Sequence, residues 1–211
     1  MVHMSTVHGE PITAAAEHGV AGRSLNWWGM IFFITSEALI FANLIAAYLY
    51  LEIRNGTTNP WRLPTGERLD YVYPLINTFI LLASSIPARI AGAGAVRGNR
   101  RQLLGGLLGT IILGSVFLGG QVYEYTSLFG EHFTPQYQAF GSAFFTLTGF
   151  HGLHVTVGVL FLLICLIRAL RGHFTPKHHF AVEAAEMYWH FVDIVWVVVF
   201  STVYLLPLIM G

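Results

Sequence analysis

Charged residues are scarce in this chain of 211 residues, where they make up only 10% of the sequence. Hydrophobic residues make up 55%, and the mean hydropathy is +0.60. So few charges cannot cover the surface of a water-soluble domain of this size. The composition therefore excludes an ordinary soluble protein and indicates an integral membrane protein.

Cysteine is also nearly absent. The single cysteine, Cys165, lies in an apolar run, where its ordinary role is that of a small buried hydrophobe. One thiol excludes both a disulfide framework and a cysteine metal site. The formal net charge is zero and no long basic tract occurs, which argues against a nucleic-acid partner. Residues 1–26 lack the apolar core of a signal peptide, so we expect a loose amino-terminal arm there.

Long apolar runs, in contrast, are abundant, and five of them reach the roughly 20 residues that a helix needs to cross a bilayer. They cover approximately residues 27–51, 72–95, 103–123, 138–167 and 187–209. No internal repeat is evident. The sequence therefore predicts an all-α polytopic membrane protein, a bundle of five transmembrane helices. The third run is rich in glycine, and since small residues allow close helix packing, we expect that helix at the centre of the bundle.

Basic residues fall mainly on one side of the predicted bundle. The amino-terminal arm and the loops after the second and fourth spans hold Arg23, Arg97, Arg100, Arg101, Arg168, Arg171 and Lys177. The loop after the third span contains neither lysine nor arginine. The positive-inside rule then predicts a cytoplasmic amino terminus and a carboxyl terminus outside.

Glu37 is the most unusual residue in the predicted spans. It follows Trp27 by ten residues, roughly 15 Å along a helix axis, and so lies near mid-membrane. A carboxylate at that depth costs on the order of 3 kcal/mol. We therefore expect a neutral acid or a carboxyl paired with a polar side chain, either proton-linked or structural in role.

Two further polar stripes follow helical spacing. His151 and His154 stand in the fourth span, and the fifth carries Glu183, Glu186, His190 and Asp193. Such residues must face something other than lipid. A carboxylate-histidine metal site is conceivable, but two helices supply few imidazoles at one height. We favour an interhelical hydrogen-bond network of His151, His154, Glu186, His190 and Asp193.

A basic cluster lies between the fourth and fifth spans. It contains Arg168, Arg171, Lys177, His178 and His179. The cluster is compatible with positive-inside anchoring and also with a phospholipid head-group site, because guanidinium groups suit phosphate. The second interpretation assigns head-group contacts to Arg168, Arg171, His178 and His179.

Five stretches together resemble the cytochrome c oxidase subunit III family of haem-copper terminal oxidases. They are WWGMIFFITSEALIF, YPLINTFILLAS, QVYEYTSLF, FGSAFFTLTGFHGLHVTVG and HFTPKHHFAVEAAEMYWHFVDIVW. They occur in the family's order and spacing and cover nearly everything from Trp27 to Tyr204.

The resemblance implies a chain with no haem, copper or catalytic centre of its own, although it is part of an oxidase. Haem and copper would belong to partner subunits: the catalytic subunit I, against which the chain docks, and subunit II. The implied roles are to support proton uptake and stability of the catalytic subunit and to bind structural phospholipid. Residues 27–211 would form the subunit III transmembrane domain, in the bacterial cytoplasmic (inner) membrane.

The resemblance also implies roles for individual residues. Glu37 matches a mid-membrane carboxyl known for reactivity with carbodiimide, and Arg168 matches an arginine that contacts lipid phosphate. His151, His154, His190 and Asp193 match signature positions with a structural role. The sequence lacks the two helices that precede the Glu37 helix in longer members, so it resembles the five-helix bacterial form. The resemblance does not imply a complete lipid cleft within this chain.

Three other functions remain open from the sequence. The chain resembles subunit III whether the electron donor is cytochrome c or a quinol, although the HFTPKHHF to VDIVW region favours cytochrome c oxidases. The chain could also be an accessory protein of nitric oxide reduction, because such proteins share the family's fold. A self-sufficient membrane metalloenzyme would have to use the histidine and glutamate stripes, and iron or copper bound to the isolated polypeptide would favour it.

Overall fold

The computed structural model describes residues 24–56, 63–64 and 69–207, and the structural statements below concern these residues. Except for residues 24–26, the arm predicted over residues 1–26 lies outside the described residues, as does Arg23.

Five long helices make up nearly all of the described chain. They are α1 (Leu25–Gly56), α2 (Val72–Arg97), α3 (Arg100–Gly130), α4 (Gln138–Leu170) and α5 (Phe180–Phe200), with a π-helical turn at Ser201–Leu205 continuing α5. Each is long and apolar enough to cross a membrane. Extended pairing in the described ranges is limited to one isolated bridge between Thr175 and His178. The prediction of an all-α protein with five membrane spans is confirmed.

Four of the helices are longer than the apolar runs that predicted them, and α5 begins earlier than its run. α3 ends at Gly130, seven residues beyond the predicted residue 123, and α5 begins at Phe180, seven residues before the predicted 187. Backbone hydrogen bonding continues through the polar head-group region, whereas hydropathy marks only the part of a helix in hydrocarbon. Hydropathy therefore placed the end of α3 too early in the sequence and the start of α5 too late.

A two-residue turn joins α2 to α3 and sets these helices side by side. Gly98 takes a φ of 68°, a left-handed conformation that suits glycine and ends α2. Asn99 then accepts a hydrogen bond from the backbone N–H of Gln102 and caps α3. The reversal brings the two backbones into contact at Gly106, where an added Cβ would lie 2.5 Å from the backbone nitrogen of Ala91.

Four of the helices form a closed ring. α2 packs against α3, α3 against α4, α4 against α5, and α5 against α2, while α1 lies outside and packs against α4 and α5. α5 is the most buried of the five helices and α1 the least. The expectation that α3 is central is wrong, because α5 is the more buried helix and packs against α1, α2 and α4. Gly106 of α3 lies against α2 and Gly114 against Trp189 of α5, but Gly105 and Gly119 face open space.

The basic residues gather at one end of the bundle. α2 and α4 end there, and α3 and α5 begin there. The exposed side chains at this end include Arg97, Arg100, Arg101, Arg168, Arg171 and Lys177. The guanidinium of Arg100 donates to the carbonyl oxygen of Leu170 at 2.8 Å and so caps the carboxyl end of α4. We call this surface the basic end.

We predict that Gly106→Ala destabilises the protein and that Gly105→Ala does not. A Cβ on Gly106 would lie 2.5 Å from backbone atoms of Ala91 and Pro87, whereas a Cβ on Gly105 meets nothing within 4 Å. Separating α2 from α3 should lower the free energy of unfolding by about 1 to 3 kcal/mol. SDS titration of the purified variants in mixed micelles measures this difference, and equal stability of the two variants would contradict the backbone contact.

Candidate functional site

Glu37 on α1 is paired with His154 on α4. Its Oε2 atom lies 3.0 Å from Nε2 of His154, and both side chains are largely buried. Phe41, one turn further along α1, packs edge-on against the imidazole with ring centres 4.9 Å apart. The mid-membrane carboxyl singled out from the sequence therefore has a polar partner at the contact between α1 and α4.

The second nitrogen of His154 decides how many protons the pair holds. Nδ1 lies 2.8 Å from the carbonyl oxygen of Phe150, and because a carbonyl only accepts, Nδ1 must carry a hydrogen. The bond to Glu37 then contains one proton, either on a neutral acid or on an imidazolium facing a carboxylate. Both forms of the pair are neutral overall, as a low-dielectric interior requires.

His151 lies one turn from His154 but makes no hydrogen bond to it. The residue is 0% exposed, and neither ring nitrogen has a partner among the described residues. Aromatic rings surround it: Trp196 at 4.7 Å, Phe117 at 5.9 Å and Phe41 at 6.4 Å between ring centres. The structure thus places His151 in an aromatic core and not in the predicted hydrogen-bond network.

The stripe on α5 bonds to α2 through Ser85. The Ser85 hydroxyl donates to Oδ2 of Asp193, and the Oγ atom of Ser85 lies 3.1 Å from Nδ1 of His190. Nε2 of His190 lies 3.7 Å from Oε1 of Glu186. The Glu186 carboxylate rests against Gly92, where an added Cβ would overlap it. The structure therefore brings together three predicted network residues, with Ser85 as the bridge.

A cleft opens where α1 and α5 begin. It has a volume of about 510 Å³ and is lined by Ser24, Trp27, Glu183, Glu186, Met187 and His190. Through Ser85, the polar contacts continue from His190 to Asp193, which is only 3% exposed. The α5 stripe therefore runs from an open cleft at the basic end to a buried carboxyl.

Two hydroxyls of α2 that the sequence did not single out also hold α5. Nε1 of Trp189 donates to the Ser84 hydroxyl at 2.8 Å, and Nε1 of Trp196 donates to the Thr78 hydroxyl at 2.8 Å. Both hydroxyls donate in turn to carbonyl oxygens of α2. The indoles were visible in the sequence, but serine and threonine in a helix bond equally well to their own backbone, so their partners were not predictable.

A second buried carboxyl, Glu124 on α3, was also missed. It accepts a hydrogen bond of 2.6 Å from the hydroxyl of Tyr204, which lies in the π-helical turn. Nearby, the Gln121 amide donates to the carbonyl oxygen of Thr148 on α4 at 2.8 Å. Glu124 stands near the polar end of its apolar run, and for that reason it resembled a loop residue.

The predicted head-group residues lie at the basic end. Arg168, Arg171 and His178 are exposed, and His179 is half-buried. The Arg168 guanidinium stacks over the Phe174 ring at 5.0 Å, which holds it beside the turn between α4 and α5. The arrangement leaves the guanidinium groups of Arg168 and Arg171 exposed at the basic end.

The side chains that could bind a metal face different hydrogen-bond partners. Over residues 24–56, 63–64 and 69–207, no three histidine, cysteine, aspartate or glutamate side chains converge as metal ligands. Glu37 faces His154, whereas Asp193 faces Ser85. This geometry favours hydrogen bonds between helices over the alternative of a metal centre.

Comparison with known protein families shows which family has this sequence. The sequence profile of the family described as cytochrome c oxidase subunit III matches residues 2–207. The chain belongs to the cytochrome c oxidase subunit III family. It is therefore a subunit III of the haem-copper oxidase type and a multi-pass membrane protein.

Relatives agree with the family assignment. Cytochrome c oxidase subunit 3 of Pelomedusa subrufa is 44% identical over 181 residues, which cover 84% of this chain and 68% of the relative. The proteins of the same name from Drosophila melanogaster and Gallus gallus are each 42% identical, with the same shares of coverage. The subunit III match includes every helix that contributes to the site.

We predict that Glu37→Gln preserves the stability of this subunit III and that Glu37→Ala does not. The amide of glutamine can donate to Nε2 of His154, whereas alanine leaves that buried nitrogen unpaired. The free energy of unfolding should change by less than about 0.5 kcal/mol for glutamine and fall by about 1 to 3 kcal/mol for alanine. SDS titration distinguishes the two variants, and a glutamine variant as unstable as alanine would show that the pair must be ionised.

A separate prediction concerns the contact between α2 and α5. Ser84→Ala should leave the Trp189 indole N–H unpaired in the core and lower the free energy of unfolding by about 1 to 3 kcal/mol. Ser201→Ala is the control, because the Ser201 hydroxyl bonds only to Val197 of its own helix. If the two variants are equally stable under the same titration, the Trp189 bond contributes nothing.

Proposed function

We propose that this chain is the non-redox subunit of a proton-pumping cytochrome c oxidase of aerobic respiration, packed in the membrane against the catalytic subunit that holds haem and copper. The observation that carries the proposal is the use of intramembrane polar side chains as links between helices. Glu37 joins α1 to α4, and Asp193 joins α5 to α2. Family membership identifies the complex to which such a scaffold belongs.

The bonds between α2 and α5 support a stabilising role for this subunit. Three side-chain bonds cross the contact between α2 and α5 in the four-helix ring, through Thr78, Ser84 and Ser85. A ring fixed in this way presents a rigid outer surface to another membrane protein. In this proposal the surface stabilises the fold of the catalytic subunit during turnover.

The cleft at the basic end supports a role in proton uptake. Glu183, Glu186 and His190 line it, and carboxylate and imidazole groups exchange protons with water. If the basic end faces the cytoplasm, as the positive-inside rule predicts, these groups lie on the side from which an oxidase takes up protons. The proposed role is to supply protons at the surface of the catalytic subunit.

The basic end is also the proposed site for structural phospholipid. Arg168, Arg171, His178 and His179 offer donors at head-group depth, and guanidinium groups bind phosphate with paired hydrogen bonds. We place residues 27–211 as the membrane domain in the bacterial inner membrane, with the 1–26 arm in the cytoplasm and the carboxyl terminus outside.

The proposal predicts what accompanies the chain on purification. An affinity-tagged chain isolated from its native membrane in mild detergent should carry a larger haem-bearing polypeptide and a copper-bearing one, visible by absorption spectrum and metal analysis. The chain separated from these partners should be colourless and free of stoichiometric iron and copper. Haem or oxygen consumption in the separated chain would contradict the proposal, and a haem-bearing partner without the copper-bearing subunit would indicate a quinol oxidase or a nitric oxide reductase.

A further inference from the structure

Asn43 presents a carboxamide on the outer face of α1. α1 has 32 residues, so Asn43 lies about 4 Å along the axis from the helix midpoint. The side chain is exposed, whereas Phe41 and Tyr48 on the opposite face are buried against the bundle. The position is therefore deep in the roughly 30 Å hydrocarbon core and faces away from the other helices of this chain.

The polar atoms of Asn43 are only partly satisfied by the chain itself. Its amide nitrogen donates one hydrogen bond of 2.8 Å to the carbonyl oxygen of Leu39. Within the described residues, the second N–H and the side-chain carbonyl oxygen have no partner. Two neighbouring polar residues differ, because the hydroxyls of Thr35 and Ser36 each bond to a carbonyl of α1 and leave no donor unused.

Hydrocarbon tails cannot satisfy the remaining atoms. An unpaired amide in lipid costs free energy that a polar side chain on a neighbouring membrane helix would recover. Among the residues that the structure describes, only the carbonyl of Leu39 bonds to the Asn43 side chain. A membrane helix of another polypeptide can supply that partner.

We propose that the outer face of α1 around Asn43 docks a transmembrane helix of an unlike subunit, which supplies a hydrogen-bonding side chain at mid-membrane depth. The identity of the occupant rests on the proposed function, since a subunit III is assembled with unlike chains. Large apolar residues flank the amide, with Leu39 61% and Phe32 70% exposed, and Ser36 and Ala47 are small enough to let a helix approach. α1 is also the least buried of the five helices, which leaves this face free for the contact.

Variants of Asn43 test the hydrogen bond in the intact complex. Asn43→Leu should weaken retention of this chain on the complex about 3- to 20-fold, measured as the fraction retained after a graded detergent wash. Thr35→Val is the matched control on the same helix, and retention should not change because the Thr35 hydroxyl bonds to a carbonyl of α1 and valine keeps the side-chain shape. Unchanged retention of Asn43→Leu would overturn the hydrogen bond.

Photo-crosslinking from position 39 identifies the occupant independently of stability. A benzoylphenylalanine at Leu39, activated in native membranes, should join this chain to a different polypeptide, identified by mass spectrometry. A crosslink to a second copy of this chain, or to phospholipid alone, would overturn the proposal. If the wild-type chain still co-purifies with the haem-bearing subunit in that case, the proposed function stands and only the docking face is wrong.

Discussion

A polar side chain inside a bilayer has to find its hydrogen-bond partner in protein, because lipid tails offer none. This constraint accounts for three carboxyl pairs in the bundle. Glu37 bonds to His154, Glu124 to Tyr204, and Asp193 to Ser85, each across two helices. A water-soluble bundle could leave such groups at its surface, whereas here each pair fixes the rotation and depth of the helices that carry it.

The same constraint makes α5 the helix on which the others depend. Its indoles and carboxyl bond to α2, and Tyr204 in the turn that follows bonds to α3. Hydrophobic burial supplies little orientation between apolar helices in lipid, since one apolar face resembles another. Directional bonds from Trp189, Asp193 and Trp196 therefore specify which face of α5 meets α2. Close packing at Gly106 plays the corresponding part between α2 and α3, where backbone contacts replace side-chain bonds.

Much of the architecture, but less of the site, follows from the sequence. Five apolar runs gave the number of spans, and the clustered arginines gave the two ends of the bundle. Polar residues such as Glu37 and Asp193 were recognisable as buried because their cost in lipid does not depend on the fold. Their partners were not recognisable, since Ser85 looks like any helical serine and Glu124 like the start of a loop. The prediction that α3 lies at the centre was wrong for a related reason. A glycine shows that a neighbouring helix can approach closely, but not how many helices surround it.

The attachment of α1 differs from that of the other helices. It packs mainly against α4 and α5, along a narrow seam that includes Phe41 and Tyr48, and Glu37 supplies its polar link to α4. Since Nδ1 of His154 is committed to the Phe150 carbonyl, that link exists only while one proton lies between Glu37 and His154. The Glu37–His154 pair therefore links α1 to α4, whereas α5 is joined to α2 by three side-chain bonds, from Trp189 to Ser84, from Trp196 to Thr78 and from Ser85 to Asp193.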